Sequence, residues 1–272
     1  MSNDVQPVLR FEQVTVEFDS GPVVEDVSFA VIPGECRVIL GAAGSGKTVL
    51  LKAALGLEQA SSGRIFLFGE DITEYSEQQL FEIRSRVGML FQESALFDSQ
   101  TVEENVAFPL LSRISKPSRE QITEIERRAL EALQFVELGD TIEKYPSELS
   151  GGMRRRVGIA RATVTQPKLV LYDSPTAGLD PITANTIMAL IAKQRDTRNT
   201  ATVMVTHRYQ DGQFLANFRY DPGSGHLVPD DHQSGGHKTI FMVMRDGRLV
   251  FEGSQMELEY SADPYLNKFV RR

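Results

Sequence analysis

The chain has 272 residues, 41% hydrophobic and 24% charged, with 29 basic and 37 acidic residues giving a net charge of −8. That length supports one large domain or two small ones with an ample core, and the acidic balance argues against nucleic-acid binding by bulk charge. The only cysteine, Cys36, rules out an intrachain disulfide and suits a reducing compartment. No apolar run approaches the roughly 18 residues of a membrane span, and the first residues lack a signal-peptide core. A cytoplasmic protein that meets a membrane only through a partner is expected.

In chain order, Val14, Val16 and Phe18 alternate as in a strand, and Asp19–Pro22 reads as a turn. Val27, Phe29 and Val31 alternate again before Pro33-Gly34. Cys36–Leu40 is a nearly continuous apolar run, the pattern of a strand covered on both faces. Gly41, Ala42, Ala43, Gly44, Ser45, Gly46, Lys47 and Thr48 follow, then a helix-forming stretch over 49–57. Strand, glycine loop, helix is the setting of a phosphate-binding loop. The glycines bring amides to the phosphates, Lys47 reaches their β/γ end and Thr48 offers a hydroxyl to Mg²⁺.

Ile122, Ile125, Ala129, Leu130 and Leu133 predict an amphipathic helix over 119–138 with a solvated charged face. A second helix starts at Ser150, a plausible N-cap, and a serine followed by Gly151-Gly152 at a helix start makes another anion site. Leu169–Tyr172 is a buried strand ending in Asp173, 184–195 is helical, and Ala201–Val205 is a strand ending at Thr206-His207. Residues 219–238, rich in Gly, Pro, Asp and His, predict an exposed loop or hairpin before a strand over Thr239–Met244. Its His226, His232, His237, Asp230 and Asp231 match no compact zinc spacing, which favours a solvated loop. Repeated strand–helix alternation implies an α/β fold with a mostly parallel sheet.

The phosphate loop and the Leu149-Ser-Gly-Gly-Met153 run, in this order, resemble ABC-transporter ATPases. The resemblance implies a P-loop NTPase with a RecA-like core over 8–92 and 165–254, an antiparallel β subdomain, a helical subdomain over 93–164 and a tail over 255–272. By the same resemblance Phe18 stacks on the adenine, Asp173 holds Mg²⁺, and Gln92 senses Mg²⁺ and the attacking water. His207 contacts the γ-phosphate, and Asp180 signals across a dimer. Ser150, Gly151, Gly152 and Met153 act in trans on ATP held by Lys47 of a second chain, and the Arg154–Arg156 run is a solvated face of which part would strengthen the anion site.

Three departures stand out. Ser174 occupies the position where the family usually has a glutamate that polarises water. A serine cannot take that proton at neutral pH, so slow hydrolysis with intact ATP binding is expected, unless His207, Gln92 or a partner group compensates. Alternatively the chain pairs with a different ATPase. Met153 replaces a common glutamine, removing a polar contact near the nucleotide, and Val49 replaces a common hydroxyl residue.

Residues 89–110 and the ending Ser261–Tyr265 are similar to Mla-type ATPases, which move phospholipid and other hydrophobic molecules between bacterial envelope membranes. That implies transmembrane permease partners, a lipid-carrier binding protein, and a place on the inner face of the cytoplasmic membrane. Leu96, Phe97, Val102 and Phe108 would line the groove that receives the permease. The alternatives are another importer ATPase, for example for amino acids, and an ATP-gated regulatory dimer that hardly hydrolyses.

Overall fold

The computed structural model describes residues 5–230 and 238–270. β1 (Leu9–Phe18) and β2 (Gly21–Val31) form a hairpin, and β3 (Cys36–Gly41) leads into α1 (Lys47–Ala54). β4 (Ser62–Leu67) and β5 (Glu70–Asp71) precede α2 (Glu77–Arg84) and β6 (Val87–Leu90). Then come α3 (Val102–Leu111), α4 (Arg119–Phe135), α5 (Gly151–Thr163), β7 (Leu169–Asp173), α6 (Pro181–Arg198), β8 (Ala201–Thr206) and α7 (Tyr209–Asn217). β9 (Phe218–Asp221), β10 (His226–Pro229), β11 (Thr239–Arg245), β12 (Arg248–Gly253), α8 (Gln255–Glu259) and α9 (Pro264–Val270) follow.

The strands sort by burial. β3, β7 and β8 are buried at every position, as strands covered on both faces must be. They sit inside a six-stranded sheet of order β12-β11-β3-β8-β7-β6, in which all but the edge strand β12 run parallel. β1 and β2 bury roughly alternate residues and join β4 and β5 in a separate antiparallel sheet. The two-residue period of β3 divides the core: Val38 and Leu40 face the helices α3 to α6, while Ile39 faces α1 and the antiparallel sheet. Cys36 belongs to the helical side, fully buried, its thiol pushed up to about 11 by burial.

The expected helices over 119–138, from Ser150 and over 184–195 are α4, α5 and α6, with α6 longer at both ends. Helices α2, α3 and α8 escaped the periodicity because they are short. Each instead begins with a capping box, at Ser76, Thr101 and Ser254.

Of the expected loop or hairpin, residues 218–229 form the hairpin, with β9 antiparallel to β10. The Asp221 carboxylate accepts the amides of Gly223 and Ser224 at its turn, where Gly225 takes a φ of 73°. Arg195, 1% exposed, donates to the carbonyls of Leu215 and Phe218, and Asp196 accepts the Tyr220 amide at 2.6 Å. These bonds staple the hairpin to α6. His226 starts β10 exposed to solvent; Asp231, His232 and His237 lie outside the described residues. No helix among the described residues is long and apolar enough to cross a membrane.

Candidate functional site

In an open α/β sheet the ligand crevice lies beyond the carboxyl ends of the strands. Here β3 ends at Gly41, β8 at Thr206-His207, β7 at Asp173 and β6 just before Gln92. These four strands are neighbours in the sheet with matched ends: Leu40 pairs with Thr206, Asp173 with Val205, and Leu90 with Tyr172. The parallel register therefore brings together the phosphate loop, Asp173, His207 and Gln92 along one sheet edge.

The loop from 41 to 46 is shaped by what its glycines permit. Gly44 and Gly46 take φ values of 77° and 95°. A Cβ on Gly46 would lie 2.5 Å from the Val23 carbonyl oxygen, and one on Gly41 2.9 Å from that of Met244. The chain thus packs against neighbouring backbone, leaving Ala42, Ala43 and Gly44 exposed at the rim. Gly46 is the N-cap of α1 without a side-chain cap, so the first-turn amides point outward with the positive end of the helix dipole. Lys47 folds back over the loop, donating to the carbonyls of Gly41 at 2.9 Å and Ala42 at 2.7 Å and to the Ser45 hydroxyl at 3.3 Å. Burial pulls its ammonium below the usual lysine value, and the charge of Asp173 opposes that shift. Thr48 is exposed beside it, and Val49 packs under the antiparallel sheet.

Asp173 is 2% exposed, and its Oδ1 accepts the Ser174 hydroxyl at 3.1 Å. Ser174 turns the chain with a φ of 47°, its amide donating to the Val205 carbonyl at 2.9 Å. The Ser174 side chain is therefore a donor pointed at the carboxylate. Phe18 closes β1 with 42% of its surface exposed, and His207 is exposed immediately after β8.

Ser150 is the N-cap of α5, its hydroxyl accepting the Met153 amide at 3.2 Å. Gly151 is exposed, and a Cβ there would meet nothing closer than 3.9 Å, so that corner is open. Gly152 lies close under Thr183, where a Cβ would come within 2.5 Å of the methyl. Met153 is half-buried on the helical core, where it packs. Asp180 caps α6 from the adjoining loop, accepting the amides of Ile182 and Thr183 at 3.0 Å, and the Thr183 hydroxyl holds its carboxyl low.

The arginine run is not the freely solvated face expected of it, because all three guanidinium groups bind backbone. Arg154 donates to the Leu149 carbonyl at 2.6 Å and Arg156 to that of Val136 at 3.2 Å. Arg155, 4% exposed, reaches the carbonyls of Phe91 at 3.5 Å and Ala177 at 3.3 Å. It ties α5 to the loop after β6 and to the loop that follows Ser174.

Gln92 is exposed at the start of a strained loop: Glu93, Ser94 and Ala95 take φ values of 58°, 69° and 44° in succession. Arg161 donates to the carbonyls of Ser94 at 2.5 Å and Ala95 at 2.9 Å. Beyond the loop opens a groove of about 330 Å³ lined by Phe81, Met89, Phe97, Phe108, Arg113 and Arg161. Phe97 and Phe108, with ring centres 4.9 Å apart, are its aromatic wall as expected. Val102 is not part of it; it is fully buried in the helical core, which Leu96 also packs against. The alternation of apolar residues along this segment could not separate the two roles. Arg155 stood out in the sequence only as part of the arginine run, and Arg161 not at all, since arginine on a helix reads as surface.

The ABC transporter family matches residues 24–177. The methionine import ATP-binding protein MetN 1 of Staphylococcus aureus strain N315 is 41% identical over 204 residues, a match covering 74% of this chain and 58% of that protein. The chain thus spans little more than half the length of the curated relatives it matches. A solved dimer of the ATP-binding cassette MJ0796, in a post-hydrolysis state bound to ADP and Pi, superposes with a TM-score of 0.75 at 27% identity, covering 90% of this chain and 98% of that one. CbiO1 from Clostridium perfringens, part of the ABC transporter complex cbiONQ, gives a TM-score of 0.75 at 25% identity, covering 97% and 94%. With more than half of its residues inside the family match and its sheet-edge motifs in family order, the chain belongs to the ABC transporter family.

Proposed function

We propose that the chain is the ATP-binding subunit of an ABC transporter and hydrolyses ATP slowly to drive membrane-embedded permease subunits. The observation that carries this is the Lys47 cradle: an ammonium held by its own loop oxygens, above outward amides and beside Asp173. Triphosphate oxygens replace the carbonyls of Gly41 and Ala42 as acceptors for Lys47, and charge-assisted bonds of that kind are the stronger ones. Phe18 stacks on the base.

The oxygen donors Thr48, Gln92 and Asp173 suit a hard cation such as Mg²⁺, which neutralises charge on the phosphates when bound. In the head-to-tail pair, Ser150 and the amides at Gly151 and Gly152 of one chain face the γ-phosphate held by the other. Loss of that phosphate removes the shared anion, and the pair reopens. Asp180 lies on the loop that meets the other chain, and His207 donates toward the γ-phosphate.

Ser174 limits the chemical step, since a positioned general base contributes about 10²–10⁴ in rate. Either a homodimer works slowly, or a different ATPase pairs with this chain and uses its intact Ser150 helix. Ser174→Glu is therefore expected to raise ATP turnover of the purified chain by about 10²-fold or more. Unchanged turnover contradicts the assignment of position 174.

The groove at Phe97 and Phe108 is where the permease docks, which puts the chain on the inner face of the cytoplasmic membrane. Cargo divides between two readings. The resemblance of 89–110 and 261–265 to Mla-type ATPases supports phospholipid or another hydrophobic solute, with a lipid-carrier protein as further partner. The 41% identity to a methionine import protein favours an amino acid. Purifying the native membrane complex separates them: co-purifying lipid supports the first, and methionine-stimulated ATP turnover the second. A chain isolated without any multispanning partner favours the regulatory dimer instead.

A further inference from the structure

Asp211, in the first turn of α7, is 1% exposed and lies outside every motif described above. Its Oδ2 accepts two hydroxyl hydrogens, from Thr176 at 2.7 Å and from Thr206 at 2.7 Å. Thr176 sits on the loop between Ser174 and Asp180, and Thr206 directly precedes His207. The Thr206 oxygen also accepts the Arg208 amide at 3.1 Å, and the Asp211 amide donates to the Arg208 carbonyl at 3.3 Å. Arg208 Nε stands 3.7 Å from the other carboxylate oxygen. Both neighbours of His207 are thus tied to one buried carboxylate, which also holds the loop carrying the catalytic position.

We propose that Asp211 is a positioning residue that couples His207 to the 174–180 loop through a single carboxylate oxygen, so that the two move together when γ-phosphate arrives or leaves. The inference rests on the ATP reading above for its role in turnover, though the coupling itself requires no nucleotide. An oxygen receiving two hydroxyls gives the pair one shared arrangement. Breaking either bond frees both loops, because the remaining partner no longer has a fixed acceptor. A loop acting alone needs no such link.

The test uses the full chain and two readouts. Hydrogen exchange of the amides in 174–180 is compared between wild type, Thr206→Val and Asp211→Asn. Thr206→Val makes no direct change to that loop, yet its exchange is expected to quicken by about fivefold, roughly the weight of one hydrogen bond. In Asp211→Asn, whose carboxamide oxygen still accepts a hydroxyl but more weakly than the carboxylate, adding Thr206→Val is expected to have a smaller effect than in wild type. Exchange in 174–180 unchanged by Thr206→Val overturns the coupling.

The second readout is steady-state ATP turnover. Asp211→Asn, close to isosteric, is expected to lower kcat by about tenfold with the ATP KM held within about twofold, and to be less than additive with His207→Ala. Strictly additive effects overturn the positioning role. If Asp211→Asn does not fold, Thr176→Val serves in its place, with quickened exchange at 206–208 as the expected result. A wild-type chain that binds no ATP but keeps the exchange coupling overturns the ATP reading and leaves the coupling standing.

Discussion

Two loops at the same sheet edge adopt left-handed backbone by opposite means. The 41–46 loop assigns that conformation to Gly44 and Gly46, where it carries no side-chain penalty. The 91–95 loop forces it on Glu93, Ser94 and Ala95 in succession. Left-handed geometry at each such residue costs about 1–2 kcal/mol, so the second loop persists only because Arg155, Arg161 and the close face of α5 hold it. The first loop is fixed by its glycines without strain. The second is held in strain between the sheet edge and the groove.

That contrast can be broken at either end. The largest effect is expected from Gly46→Ala: its Cβ meets the Val23 carbonyl at 2.5 Å with φ at 95°, which nothing nearby can relieve. Nucleotide binding should disappear in calorimetric titration, with stability lowered by about 2–4 kcal/mol. Next comes Lys47→Ala, which removes the ammonium and leaves the loop backbone intact. ATP affinity should fall about 100-fold, since hydrogen bonds to charged groups are worth about 1.5–3 kcal/mol each.

Arg161→Ala tests the strained loop. Loss of its two carbonyl bonds should cost about 2–3 kcal/mol in denaturant unfolding and quicken exchange at 93–96, with ATP affinity changed far less than by Lys47→Ala. Equal effects on affinity would erase the distinction between the loops. Ala95→Gly should do the reverse in stability, raising it by about 1 kcal/mol by relieving a φ of 44°.

The smallest effect concerns pH. Burial raises the Asp211 carboxyl above its usual value, with the Thr176 and Thr206 hydroxyls opposing. Between the unfolded value of 3.8 and the raised folded one, the folded chain holds more protons, so stability falls as pH climbs through that window. In Asp211→Asn that part of the decline should vanish from a series of melting curves.

Much of the site was legible because its chemistry is local. The glycines, Lys47 and Thr48 are contiguous, and Asp173 and His207 each end an apolar run whose burial the sequence betrays. What holds these groups was not legible, because it acts across the fold. Arg155 meets Phe91 from 64 residues away, and Asp211 meets Thr176 from 35. Such bonds leave no periodic trace, and a buried arginine looks like a surface one until the helix is packed. Val102 and Phe97 were likewise equal candidates for the groove until α3 turned one inward. The hairpin at 218–229 was among the expectations from its turn residues, but its anchors, Arg195 and Asp196 on α6, were not.

The central claim is that ATP joins two such chains between the Lys47 loop of one and the Ser150 helix of the other. Sedimentation of the 30.3 kDa chain with Mg²⁺ and ATP tests it most directly. The account predicts a mass that doubles with ATP, stays single in Lys47→Ala or Gly151→Arg alone, and doubles again when those two variants are mixed, since one intact composite site is restored. A mixture that remains monomeric while wild type dimerises, or a wild-type mass indifferent to ATP, contradicts it.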